Sequence, residues 1–433
     1  MNFKKIFMLA AAGIAVVGTS AKSPVQIQSD SIKESHKIIF FGEGQNPGHD
    51  SIRTLVDAFY YDQFRHFQDP RAPYFMFMSR DAQLAMGIGG RVKMRGWYDW
   101  GGAQTGRGFI PYNIAMTDIA EHRRNFGTSP AGSALFFKIL GTHSKIGSYQ
   151  LYIEANFTGY GSRDFKLKKA YATINDWTVG YANSTFSDPA AQPPTIDSQG
   201  PNIEISATST LVRWMHSFKK HWVVALSVED PDIQIGSNGT QTATVDKWFP
   251  DVAAFGQYEW GNGEHVRLAG IMRVLPYRDL VAQKNHNVMG WGLHLSTVFN
   301  PVDPVTIYGS LCGGRGISSL TGDLSCGNFD LVNNPDAPGK MYSPYLFGWY
   351  GAVQYNFRPN IFASFTFGQE TYLPSHSVAP DTYKYGYYSA LNVLWDITPR
   401  IQVGAEFNLG KRENFDRDHK WGRRAGLMAQ FSF

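Results

Sequence analysis

Three things are scarce in this chain, and each scarcity removes a class of protein. Charged residues make up 18% of the 433 positions, below the roughly 25% usual for soluble domains. The two cysteines, Cys312 and Cys326, have no neighbouring His or Cys pair and fall short of a zinc constellation. Beyond the N-terminal stretch no apolar run reaches the roughly 18 residues that a membrane-spanning helix needs. The formal charge of +4 leaves no basic surplus of the kind a nucleic-acid partner demands. Neither a metal nor a cofactor is expected. The glycine-rich "GGRGIS" at Gly313–Ser318 lacks the Lys-Ser/Thr ending and following helix of a phosphate loop.

What the chain has instead is aromatic residues, at 15%, and 44 glycines. It begins with Lys4 and Lys5, an apolar run from Ile6 to Val17, then the small residues Thr19 and Ala21. That pattern predicts a secretory signal over 1–21, whose removal brings the formal charge from +4 to about +2. In an exported protein the closely spaced Cys312 and Cys326 predict a local disulfide. Segment 22–81 reads as a short N-terminal region with one amphipathic helix. Ile52, Leu55, Val56, Phe59, Tyr60 and Phe64 recur there at helical spacing.

From about Ala82 the apolar period becomes two and stays so. In "GRVKMRGWYDW" Val92, Met94, Gly96, Tyr98 and Trp100 share one face, and Arg91, Lys93, Arg95, Trp97 and Asp99 the other. About sixteen strands follow, most of them ten residues or longer, as tilted membrane strands require. Short turns such as Asn175–Asp176 alternate with links at 101–131, 160–163, 187–201, 230–249, 278–286, 314–342, 373–383 and 411–421, all but one of them longer than the turns. Alternation of short and long connections predicts an all-β, antiparallel transmembrane barrel over 82–433, in a bacterial outer membrane. The last strand, ending "AGLMAQFSF", puts Ala425, Leu427, Ala429, Phe431 and Phe433 on its apolar face. It is expected to close the barrel, because an open strand edge in lipid leaves backbone groups unpaired.

Sixteen strands enclose a water-filled lumen. The inward register collects Arg91, Lys93, Arg95, Lys138, Lys168, Arg213, Arg267, Arg273, His294 and Arg424, against the acids Asp99, Glu154, Glu259 and Glu406. An excess of cations around a low-dielectric channel focuses anions into it. This predicts passive diffusion of small anionic solutes, carboxylates among them, with no chemical step. The proline-rich link 187–201 is stiffened by Pro189, Pro193, Pro194 and Pro201 and bracketed by Asp188 and Asp197. As the third long link it is the candidate for a loop that folds inward and constricts the pore. The alternative is a barrel-borne enzyme of lipase or protease type, which needs a Ser–His–acid set. There is no GxSxG, and His216, His221 and His294 show no serine partner in the sequence.

Three stretches carry a family resemblance. "LKKAYATINDWTVGYANSTFSDPAAQPPTIDSQGP" (Leu167–Pro201), "VRLAGIMRVLPYR" (Val266–Arg278) and "NVLWDITPRIQVGAEFNLGKRENFD" (Asn392–Asp416) resemble the DcaP-type trimeric porins, over most of 82–433. The resemblance implies a sixteen-stranded homotrimeric barrel in outer-membrane lipid. Its third external loop would constrict a basic pore for small anions, including dicarboxylates. It assigns Lys168, Arg213 and Arg273 to the pore wall, and Asp188 and Asp197 to the constricting loop. Two features depart from it: the family's type member has an N-terminal coiled coil where 22–81 offers one helix, and the cysteine-bearing loop has no counterpart.

Overall fold

The computed structural model describes residues 37–46, 52, 75–102, 106–118, 120, 123–157, 164–219, 221–261 and 263–433. The predicted signal 1–21 and all of the predicted helix except Ile52 lie outside the described residues. The chain forms a closed antiparallel barrel of sixteen strands. They are β1 (Leu84–Trp100), β2 (Arg124–Ser129 and Ala134–His143, parted by a bulge), β3 (Gly147–Phe157), β4 (Phe165–Ile174), β5 (Trp177–Asn183), β6 (Thr208–Phe218), β7 (Trp222–Glu229) and β8 (Asp251–Trp260). The second half comprises β9 (Glu264–Asp279), β10 (Lys284–Val302), β11 (Val305–Arg315), β12 (Tyr345–Arg358), β13 (Ile361–Leu373), β14 (Tyr383–Thr398), β15 (Ile401–Asn414) and β16 (His419–Ser432).

Strand direction follows from the two-residue period. Val92, Met94, Leu151, Ile153, Leu268, Met272, Leu293, Leu391, Val393 and Leu427 are all exposed on the outer wall. Aromatic rings form a band at each end of it. Trp222–Tyr258 and Tyr355–Phe357 pack at the short-turn end, with Tyr98–Trp100 and Trp291–Tyr345 at the long-loop end. An apolar belt flanked by aromatic girdles is the surface of a membrane-spanning barrel.

β16 closes on β1 in the register Arg424↔Asp99, Leu427↔Gly96, Phe431↔Val92. Phe433 then exchanges two backbone hydrogen bonds with Gly90, both 2.9 Å. Below that rung β1 runs on, and its edge is covered by Phe75–Ser79, which pairs in turn with Lys37–Phe41. Met76, Met78 and Ala85 are buried there with Ile38, Phe40 and Ile52 against them. Neither short strand is visible in the sequence, because 22–81 offers only a helical period.

Three further boundaries differ from expectation. The 101–131 link contains the Arg124–Ser129 half of β2. The 278–286 and 411–421 links shrink to the turns 280–283 and 415–418, because the ladders continue to Asp279↔Lys284 and Glu413↔His419. The predicted disulfide is not present. Cys312 is a buried thiol on the inner face of β11, and Cys326 an exposed thiol whose sulfur faces Asn113 at 3.9 Å. Nearness in sequence failed as a guide here, since Cys312 packs into the interior cluster with Phe186 and Ile317 while Cys326 sits on a loop.

The seam between β16 and β1 is fastened by a bidentate pair, Arg424 Nε and Nη2 to the Asp99 carboxylate at 2.6 and 2.9 Å, both residues buried. Asp99→Ala leaves that guanidinium buried without its carboxylate, at an expected cost of about 3–5 kcal/mol. Asp230→Ala, which breaks the exposed Lys247–Asp230 pair of 2.7 Å, is expected to cost under about 1 kcal/mol. Denaturant unfolding of the refolded barrels checks this, and equal losses from the two changes would contradict it.

Candidate functional site: the barrel lumen

The link after β5 does not stay outside. β5 ends early, at Asn183, and residues 184–207 turn into the lumen and run along the inner wall. The first anchor is Asp188. Its carboxylate accepts from His265 Nε2 at 2.8 Å and from Ser296 Oγ, and lies 3.4 Å from Arg267. Burial alone would raise this acid, but Arg267 and His265 hold it well below the ordinary carboxylate range. Arg267 also donates to the Ser187 carbonyl at 2.9 Å and lies 4.3 Å over the Phe255 ring. Farther along, Tyr350 donates to the Ala191 carbonyl, and both Ser364 and Asn392 to the Pro194 carbonyl.

The far anchor is a carboxylate on the wall. Glu406 accepts the backbone N–H groups of Ile196 and Asp197, both at 2.7 Å, while Arg95 donates to the Ile196 carbonyl at 3.1 Å. Asp197 in turn accepts from the N–H of Phe109 at 2.8 Å and stands 4.0 Å from Arg424. Burial raises the Asp197 carboxyl, against the pull of Arg424. Wall glycines receive the loop: Ile203 occupies the space where a Cβ on Gly348 would lie, 2.6 Å from it, and Ile196 does the same at Gly404.

A second segment, 316–344, also turns inward. Arg273 fastens it, bonding to Asp251 at 2.9 Å, the Gly316 carbonyl at 2.8 Å and Ser319 at 3.0 Å, with Asp330 at 3.5 Å. Between the two segments and the wall lies an apolar core inside the barrel, built from Phe186, Ile203, Val223, Phe255, Ile317 and Leu324.

Eight of the ten predicted inward basic residues therefore fall into two groups. Arg95, Arg213, Arg267, Arg273 and Arg424 face inward but are at most 5% exposed. Arg213 donates to the Asn183 carbonyl, where the infolded segment begins. Arg91, Lys93 and Lys168 instead line a stretch of β1 and β4 that remains partly exposed. Alternation gave the direction of all eight, and gave no sign of which would be covered. Lys169 was missed because a bulge at Glu154/Ala155 puts both Lys168 and Lys169 on the inner side of β4. With the inward Lys138 of β2, the wall of β1–β4 carries Arg91, Lys93, Lys138, Lys168 and Lys169 around one acid, Lys138 and Lys169 being buried. That acid is Glu154, 2.9 Å from Lys168 and 3.7 Å from Arg91.

The histidines now have partners. His216 meets Asp176 at 2.7 Å on the surface, and His221 meets the Glu259 carbonyl at 2.9 Å. His294 does have a serine after all, Ser310 on the neighbouring strand at 2.9 Å, which sequence separation hid. Its other nitrogen meets the Phe186 carbonyl rather than a carboxylate, and both residues are buried under the infolded segment. A nucleophile so covered has no room for a substrate carbonyl. Among the described residues no group of three or more His, Cys, Asp or Glu is placed to hold a metal.

Glu204, near the end of the infolded segment, is pushed up to about 8 by burial, from an ordinary 4.5. It is neutral in the folded protein at pH 7. A carboxyl raised on folding contributes stability that is complete below its ordinary range and is lost as pH rises through the folded value. Folded barrels are expected to melt at lower temperature near about pH 9 than near about pH 6, and Glu204→Gln to flatten that difference. An unchanged slope in the variant would contradict the assignment.

Neither a protein-family model nor a curated protein matches the chain. Solved structures do. The outer membrane channel DcaP of Acinetobacter baumannii is 19% identical, aligned over 81% of this chain and 98% of that one, with a TM-score of 0.69. An anion-selective porin from Comamonas acidovorans is 9% identical over 81% and 100%, with a TM-score of 0.55. The trimer form of OmpT, an outer membrane protein of Vibrio cholerae, is 9% identical over 81% and 100%, with a TM-score of 0.51. At these identities the likeness establishes the fold: this chain is built as a porin-type barrel of the kind seen in DcaP.

Proposed function

We propose that this protein is an outer-membrane porin through which small, preferentially anionic solutes such as carboxylates diffuse passively. The observation that carries the reading is the basic wall of β1–β4, where Arg91, Lys93 and Lys168 stay partly exposed beside the buried Lys138, Lys169 and Glu154, while the segments 184–207 and 316–344 cover the other inward arginines. Charges on a low-dielectric wall raise the local concentration of counter-ions, and Arg91 adds a fork that fits a carboxylate in two places. The infolded segment 184–207, held by Asp188 and Asp197, narrows the passage beside that wall. The buried arginines serve to hold it there. The trimeric form of one structural relative supports a homotrimer, and the signal-like N-terminus supports export with removal of 1–21.

The covered His294–Ser310 pair gives the enzyme reading little to stand on. Passive flow past fixed charges needs no covalent step and no cofactor.

In planar bilayers under a salt gradient, the purified protein is expected to show an anion-selective reversal potential, with conductance closing in three equal steps. Replacing Arg91, Lys93 and Lys168 together by Gln is expected to bring the reversal potential most of the way to zero. Cation selectivity of the parent protein, or a triple variant that keeps its selectivity, would overturn the reading.

A further inference from the structure

Three side chains from three separate segments interlock where the two infolded segments meet the wall. Asn202 comes from 184–207, Asp323 from 316–344, and Glu370 from β13. The Asp323 N–H donates to Glu370 Oε2 and to the Asn202 carbonyl, both at 3.0 Å. Asn202 Nδ2 donates to the Gly386 carbonyl at 2.9 Å, which fixes which end of the amide is nitrogen, and approaches Asp323 Oδ2 at 3.4 Å. Tyr383 donates to the same Asp323 oxygen at 2.8 Å.

These bonds use one side of each group. The other three oxygens, Asn202 Oδ1, Asp323 Oδ1 and Glu370 Oε1, make no hydrogen bond of good geometry, although Thr321 and the Leu324 N–H stand against the Glu370 carboxylate and the Tyr112 N–H against that of Asp323, and all three residues are 0% exposed. Asn202 Oδ1 projects over Gly368, 3.2 Å from where a Cβ would lie. That is one inward position from Glu370 on the same strand. Orphaned acceptors in a dry interior are costly, and two of these carry formal charge. The guanidinium of Arg412 lies 6.0 Å from the centre of the Tyr383 ring and donates to Asn414 and to the Tyr112 carbonyl. A proton shared by the two carboxyls would satisfy that pair alone, leaving the amide oxygen without a donor. A hard cation seated among the three side chains would satisfy these oxygens and balance two negative charges.

We infer that Asn202, Asp323 and Glu370 form a binding site for a divalent cation, with calcium the fitting ion. Calcium takes six to eight oxygen ligands at roughly 2.3–2.6 Å in adaptable geometry, with water or carbonyls completing the shell. Magnesium demands a near-regular octahedron and dehydrates reluctantly. The bound ion joins both infolded segments to the wall of β13, and so holds the lumen in its divided form.

The test uses the full-length folded protein in detergent, stripped with a chelator and titrated with calcium chloride by calorimetry. One calcium per chain is expected in the parent, with binding weakened at least tenfold in Asp323→Asn and in Glu370→Gln. Retarded mobility of unheated protein on gels checks that each variant remains a folded barrel. Calcium should also raise the temperature at which the folded band is lost, and leave it unchanged in the two variants. If either variant cannot be folded, Asn202→Ala, which keeps both charges, is expected to weaken binding as well. Absence of calcium binding in the parent, or full binding in the folded variants, would overturn the site.

Discussion

Hydrocarbon supplies no hydrogen bonds, and that one constraint organises the molecule. Every backbone N–H and C=O at membrane depth must find a partner in the chain, so β16 has to meet β1, and the strand edge can end only where something else covers it. Phe433 makes its two bonds to Gly90, and the hairpin partner Phe75–Ser79 takes over the edge of β1 immediately beyond. Closure fixes the register at the seam, and the register sets Arg424 opposite Asp99. From there alternation sends one face of each strand to lipid and the other to the lumen.

The inward face then poses a second problem. A barrel of this size cannot fill its interior with wall side chains, and an interior of bare arginines would repel itself. The chain answers by folding 184–207 and 316–344 inward, so that loop carboxylates and carbonyls meet wall cations: Asp188 with Arg267, Asp330 with Arg273, the Ile196 carbonyl with Arg95. Glu406 reverses the polarity and holds loop amides. An apolar cluster around Phe186, Ile203 and Ile317 seals the junction. What stays partly exposed is the side built from β1–β4, where Arg91, Lys93 and Lys168 stand around the buried Glu154. The buried anchors and the partly exposed wall cations thus draw on the same residue type, separated by what lies over each residue.

Much of this could be read from the sequence. All sixteen strands, the closing strand and the inward bias of the cations follow from a two-residue period, whereas two of the expected long connections are tight turns. That period reports direction and nothing more. It cannot see that Arg213 lies beneath the start of a loop while Lys93 does not, because cover is a long-range contact. Nor can it see the bulge that brings Lys169 to the inner face beside Lys168, since one extra residue shifts the pattern without leaving a local mark. The predicted disulfide failed for a related reason: Cys312 belongs to a strand face and Cys326 to a loop. The His294–Ser310 pair spans two strands and was invisible for the same cause.

On the proposed function, solutes pass beside β1–β4 and not through the part of the barrel filled by the infolded segments. The most direct measurement is current block by an anionic thiol reagent at single introduced cysteines, in a Cys326→Ser background. Lys93→Cys is predicted to be modified rapidly with a large fall in current, while Ser310→Cys, beneath the infolded segment, is predicted to be inert. Rapid block at position 310 with none at 93 would place the passage on the other side of the barrel and contradict the account.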